Sequence, residues 1–171
     1  MAEEQRYFFL DLKTAGVVPN GGSNKQGHEG WLELDSWTFS MNQSAEPNTG
    51  GGQPKGTAAS GRFGFTIKHN GPMLFKTAAS GAHIKGPVTF EAERGGIQVG
   101  SGGGKSTMTY LKLVFHDLVV SGRSIAGDST QKSEHIELTF QTVSFSYSQV
   151  VNGNPGPMTT KQYDVKKNQL T

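Results

Sequence analysis

The chain contains no cysteine, which removes disulfide frameworks, cysteine-based zinc sites and thiol nucleophiles. It has no apolar run near the roughly 18 to 20 residues that a membrane-spanning helix needs. Its N-terminus, Met1-Ala2-Glu3-Glu4-Gln5-Arg6, is acidic and leads into only Tyr7 to Leu10. A secretory signal needs a basic start and a longer apolar stretch. The expectation is a protein made in the cytoplasm that, if it leaves, leaves by a route reading no such signal. Charge of one sign is also missing. The net charge is +2 with acids and bases mixed, too weak and too dispersed for a nucleic-acid footprint. The densest basic run, Lys161 to Lys167, is interrupted by Asp164 and reads as a solvated tail.

Large apolar side chains are scarce: the hydrophobic fraction is 33%, alongside 24 glycines. A length of 171 residues fits one domain that can still bury a core. That core should be thin, and such a subunit gains much from association.

The apolar pattern is mostly period two, the spacing of strands. Phe8, Leu10 and Leu12 alternate first, followed by a Gly/Asn/Pro-rich connection from Gly16 to Gly30. Leu32 and Leu34 then lie on one face, and Trp37, Phe39 and Met41 on the other. A slip of one residue in a pleated strand sends every later side chain to the opposite face. A bulge, or a strand bending from one sheet into another, keeps both sets buried. The slip recurs where Leu111, Leu113 and Phe115 give way to Leu118 and Val120. It recurs again where Ile136, Leu138 and Phe140 give way to Val143, Phe145 and Tyr147. Three face-swapping strands imply a mainly β fold, a closed β-barrel or two tightly packed antiparallel sheets.

Two shorter strands carry Phe63, Phe65 and Ile67, and Val88, Phe90 and Ala92. Between them the spacing predicts one short flanking α-helix, capped by Asn70, with Pro72 early and Gly81 closing it. Leu74, Phe75, Ala78 and Ala79 form its apolar stripe. The segment from Asn42 to Gly61 shows no periodicity, and loops of that length tend to be functional or disordered. Gly95 to Ser106 and Ser121 to Ser133 read as further loops, and residues 149–171 as a C-terminal extension with a short strand. Nothing marks a second domain.

Catalytic motifs fail one by one. Gly100 to Thr107 resembles a phosphate-binding loop, but Val99 stands where the first glycine belongs. Met108 to Val120 then reads as a strand, so no helix N-terminus faces a phosphate. His28, His69, His83, His116 and His135 are scattered without metal-ligand spacing and read as surface or turn histidines. His116-Asp117 lacks a serine in a nucleophile elbow, and adjacent strand residues point apart. Glu91 and Glu93 read as one solvated face, and Glu134 and Glu137 as flanks of an amphipathic strand. No catalytic residue, cofactor site or metal site is assigned.

In order along the chain, the surviving features resemble Hcp, the haemolysin-coregulated tube protein of bacterial type VI secretion systems. Tyr7-Phe8-Phe9-Leu10-Asp11-Leu12 is similar to that family's opening strand, and Gly30 to Ser40 to its second. Pro72 to Lys85, with Ser80-Gly81-Ala82-His83-Ile84-Lys85, is similar to its helix and G-x-H-I turn. Tyr110-Leu111-Lys112-Leu113 through Ser121, Glu134 to Tyr147, and Asp164-Val165-Lys166-Lys167-Asn168 resemble its later strands. Tyr163 stands in place of a tryptophan there. The long first connection and the Gly-rich loop at 95–106 depart from the pattern.

The resemblance implies a structural protein, not an enzyme. Its subunits would have an Hcp-like, phage tail-tube-like fold and form homohexameric rings that stack into a tube. Spike and sheath proteins would be its partners, effectors its cargo, and secretion through the same system its route, with no nucleic acid and no membrane insertion. By the same analogy Asn42, Gln43, Ser44, Glu46, Asn48, Gln53 and Lys55, in the long aperiodic loop, would contact a neighbouring subunit or ring. Two other readings compete: an effector- or ligand-binding β-barrel module secreted as an effector, and a nucleotide-using enzyme resting on Lys105.

Overall fold

A computed structural model describes residues 5–44, 57–68, 72–98, 105–151, 154–167 and 169–171. Its elements are β1 (Arg6–Asp11), β2 (Leu32–Glu33), β3 (Ser36–Ser44), β4 (Thr57–Lys68), α1 (Pro72–Ser80), β5 (His83–Ile84), β6 (Val88–Gln98), β7 (Lys105–Gly127), β8 (Lys132–Val151), β9 (Asn154–Asp164) and β10 (Gln169–Leu170). All pairings are antiparallel and join the strands into one sheet, ordered β10-β9-β8-β7-β6-β1-β2, with β4 on β8, β3 on β4 and β5 on β7.

The two longest strands give the sheet its shape. β7 pairs with β6 from Lys105 to Phe115, with β5 at Leu118 and Val119, and with β8 from Leu111 to Gly127. The first part of β8 pairs with β4, and its last part with β9. Each therefore belongs to two halves of the sheet. The break in β7 falls at Asp117, which has φ 55° and donates its backbone N–H to the Lys85 carbonyl at 3.1 Å. It is here that Leu111, Leu113 and Phe115 hand over to Leu118, all buried. The first phase change has the same cause: Leu32 pairs into β1, and the chain crosses at Leu34-Asp35 so that β3 pairs with β4. Among the described residues no pairing joins β3 to β9. The described strands form two packed halves of one sheet, without a pairing that would close it at β3 and β9.

Aromatic rings fill the space between the halves. Phe63 lies 5.1 Å from Phe90 and 5.0 Å from Phe115, ring centre to ring centre, and Trp37 lies 4.9 Å from Phe90. Such tilted contacts add to the area these rings bury. Buried Leu, Ile and Val side chains such as Leu10, Leu113, Ile136 and Leu138 pack around these rings to complete the core.

Five sequence expectations change. Gly95 to Ser106, read as a loop, is partly paired, since β6 and β7 stay joined as far as Gln98 and Lys105. The stretch from Asn42 to Gly61 is not all loop, since β3 and β4 stay paired as far as Ser44 and Thr57. Ser121 to Ser133 is mostly a paired arm, whose turn is tied by Asp128 N–H to the Gln131 carbonyl. Likewise, β9 spans eleven residues where a short strand was expected. In α1, Leu74 is buried and Gly81 closes the helix with φ 61°, but Phe75 is 56% exposed. Its ring lies against the Arg123 guanidinium at 5.2 Å, so α1 docks through a cation–π contact on that side. Asn70 lies outside the described residues.

Candidate functional site

Of the predicted contact residues, Asn42, Gln43 and Ser44 lie at the end of the β3–β4 hairpin. Asn42 pairs with Ser60, Gln43 with Ala58 and Ser44 with Thr57, across a bulge between Asn42 and Gln43. A bulge bends and twists an edge. Glu46, Asn48, Gln53 and Lys55 lie outside the described residues.

Beside that arm the core comes to the surface. Phe39 and Met41 of β3, Val143 and Phe145 of β8, Lys161 and Tyr163 of β9, and Leu170 of β10 line a groove of about 480 Å³. Alternation along β8 placed Phe145 and Tyr147 in the core. In the structure both are exposed, at 39% and 48%, while Ser146 and Ser148 on the opposite face are buried. β9 causes the inversion. Ser146 hydrogen-bonds Thr160 at 2.8 Å, and Ser148 donates to the Gly156 carbonyl at 2.8 Å. On the other face Phe39 of β3 reaches the Phe145 ring at 6.2 Å but leaves it partly exposed. Met41, Phe145, Tyr163 and Leu170 were not recognised from sequence as one surface, because only the seam between β3 and β9 brings them together.

A second assembly is polar. Residues 13–31 lie over the outer face of β1 and β6, and His28, expected at the surface, is only 4% exposed. Its ring stacks on Phe9 at 4.3 Å and meets Trp31 edge-on at 4.7 Å. Nε2 bonds the Glu91 carboxylate at 2.8 Å, and Nδ1 lies 3.7 Å from Glu93. Lys25 pairs with Glu93, and Lys112 with Glu91 at 3.0 Å. Glu91 and Glu93 are therefore a docking site for the first connection and not a solvated face. Burial pushes the Glu91 carboxyl up, but hydrogen bonds from Lys112 and His28 outweigh it and hold the group below its ordinary value.

Glu134 is also misplaced by simple alternation. It is wholly buried, paired with the Arg123 guanidinium at the end of the core that α1 covers. His116-Asp117 makes no dyad here: Asp117 faces His83 at 3.4 Å instead, with both side chains substantially exposed. Among the described residues no group of three or more His, Asp or Glu could hold a metal ion, and no helix is long and apolar enough to cross a membrane. Lys105 opens β7, a strand and not a helix. The hydrogen bonds and ion pairs hold the chain's own segments to the sheet, and the apolar groove is the face left open.

The family model described as "Type VI secretion system effector, Hcp" matches residues 9–147. This chain belongs to the Hcp family. Hcp1 from Salmonella typhimurium is similar in structure, with TM-score 0.69 and 27% identity, covering 97% of this chain and 99% of that one. Hcp2 from the same organism gives TM-score 0.60 and 26% identity, covering 95% and 98%. A structure described as a type six secretion system protein gives TM-score 0.70 at 16% identity, covering 98% and 100%, a likeness of fold alone. No curated protein matches the chain. The family match spans both halves of the sheet and the first connection that carries the buried His28 cluster.

Proposed function

We propose that this Hcp-family chain is a structural, non-enzymatic subunit of a type VI secretion tube. It forms hexameric rings that stack, sit beneath the spike and are driven out by a contracting sheath, with effectors carried in the lumen. The chain is made in the cytoplasm and leaves by that route.

One observation carries this reading: the chain keeps an uncovered apolar groove between β3 and β9, flanked by two strand edges and the Asn42–Ser44 arm. A second copy is the occupant that suits it. Head-to-tail contacts close into a ring when the rotation allows, and contacts that do not close continue as a filament. The arm, with Asn42, Gln43, Ser44, Glu46, Asn48, Gln53 and Lys55 along or beyond it, reaches the neighbouring subunit or ring.

Light scattering at micromolar concentration, with negative-stain images of the same sample, tests this. Rings with six subunits are expected, and a monomer would overturn the reading. The groove volume also falls within the roughly 300–1,000 Å³ of ligand sites, which favours a cargo-binding module as the second reading. A bound partner that blocks ring formation would support it.

A further inference from the structure

Four side chains on neighbouring strands meet at one end of the core. Arg6 of β1 and Arg94 of β6 stand directly opposite each other, continuing the register of Leu10 with Phe90 and Phe8 with Ala92. Alternation therefore turns both arginines to the face on which the core lies. Next along the sheet, Leu111 of β7 faces Tyr147 of β8, and Tyr147 is 48% exposed. Tyr110 is the extra residue of a bulge, since Ala92 pairs with Leu111 and Glu93 with Thr109. Bulges re-aim side chains, and Tyr110 packs, partly buried, against the same core. Both arginine charges act on its phenol, and so does Tyr147, so the four groups make one cluster.

That register has a cost. Residues so opposed have Cβ atoms about 5 Å apart, and like charges there weaken the pairing. The adjoining acid, Glu93, does not relieve it, because Glu93 pairs with Tyr7 and turns to the opposite face, where Lys25 engages it. Each arginine has an interaction within the chain, but a guanidinium carries five N–H donors and can hold a further acceptor. Burial, with Tyr147 beside it, raises the Tyr110 phenol above its ordinary value against the pull of the two arginines. Its hydroxyl therefore keeps its proton and can donate. Two guanidiniums and two phenols are donors that one oxyanion can satisfy together.

We propose that Arg6, Arg94, Tyr110 and Tyr147 form a binding site for the carboxylate of an acidic polypeptide segment. The surface beside it selects a polypeptide over a free anion. Phe145, two residues before Tyr147 on the same face of β8, is 39% exposed and lines the apolar groove with Met41. The open inner face thus runs from apolar at Phe145 to cationic at Arg94. Inorganic phosphate has no use for the apolar part, whereas a segment with an acid beside apolar side chains fills both. The site goes beyond assembly and does not depend on ring formation, because all four residues come from one chain.

Isothermal titration of the full chain with a hexapeptide of alternating glutamate and leucine reads the site. The same peptide with glutamine for glutamate should bind about tenfold more weakly, and so should the acidic peptide to Arg94→Gln or to Arg6→Gln. Inorganic phosphate should bind more weakly than the acidic peptide. No binding, equal binding of the two peptides, or full affinity in both arginine variants would each overturn the proposal. Phosphate binding more tightly than the peptide would overturn it too, since the site would then read the anion alone. Arg6 is exposed, so Arg6→Gln decides if Arg94→Gln fails to fold.

Discussion

Phe140 lays its ring across Gly61, its direct partner on the neighbouring strand. A Cβ at position 61 would overlap that ring. The glycine is there for space, next to the end of β3 where Phe39 also stacks on Phe140 at 5.7 Å. Gly61→Ala should therefore cost about 1–3 kcal/mol through overpacking. Combining it with Phe140→Leu should cost less than the two single changes added together. Urea unfolding of the four proteins measures the coupling.

Arg123 and Glu134 form a pair buried at the end of the core. Glu134→Ala would leave the largely buried Arg123 guanidinium, beside the Phe75 ring, without its carboxylate, at a cost of about 3–5 kcal/mol. Replacing both, with Arg123→Met and Glu134→Leu, should restore most of that loss, because no buried charge remains. Denaturant midpoints distinguish the outcomes. Equal destabilisation in the single and double variants would mean that the ion pair itself, and not the orphaned charge, carries the stability.

Acid should act on Glu91. Its carboxyl is held below its ordinary 4.5 by Lys112 and His28 despite its burial. A depressed carboxylate contributes stability that is fully present above the unfolded value and is lost as pH falls through the folded one. Stability should therefore drop as pH is lowered past about 4.5, and Glu91→Gln should flatten that limb. Urea midpoints between pH 3 and pH 6 check both.

Asp117 sits at the face switch of β7 in the left-handed region, with its exposed carboxylate toward His83. Asparagine and glycine tolerate that backbone conformation, whereas a β-branched residue does not. Asp117→Asn should be nearly neutral, and Asp117→Val should cost about 1–3 kcal/mol. A thermal melt of each variant gives the order.

On the proposed function, shortening the β3–β4 arm should affect assembly and not folding. Replacing residues 45–56 by Asn-Gly would join Ser44 to Thr57, an existing pair, through a two-residue hairpin turn. The far-ultraviolet spectrum should be unchanged while stacking of rings into tubes is lost. Tubes of normal length in electron micrographs would show that the segment is not a contact.

Much of the fold was legible in the chain. Period-two alternation located the strands, Gly81 marked the end of the helix, and the phase changes at Ser36 and at His116-Asp117 marked where strands pass between the halves of the sheet. These are local signals, set by the pleat and by backbone sterics, so the residues themselves carry them. Ring positions such as Phe63, Phe90 and Phe115 could be named as core for the same reason.

Burial on the second face of a strand was not legible, because it depends on what the rest of the chain lays there. Alternation put Glu91, Glu93 and Glu134 in solvent. The first connection buries the Glu91–Glu93 face through His28, and α1 with Arg123 closes over Glu134. Alternation put Phe145 and Tyr147 in the core, and the missing neighbour between β3 and β9 leaves them at the surface. Sequence by itself determined the apolar cores of β1, β3, β4, β6, β7 and β8, the face changes near Ser36 and Asp117 and which family the chain resembles. Only the tertiary structure decided which polar groups are buried and which apolar ones stay open, since both follow from distant segments meeting across the sheet.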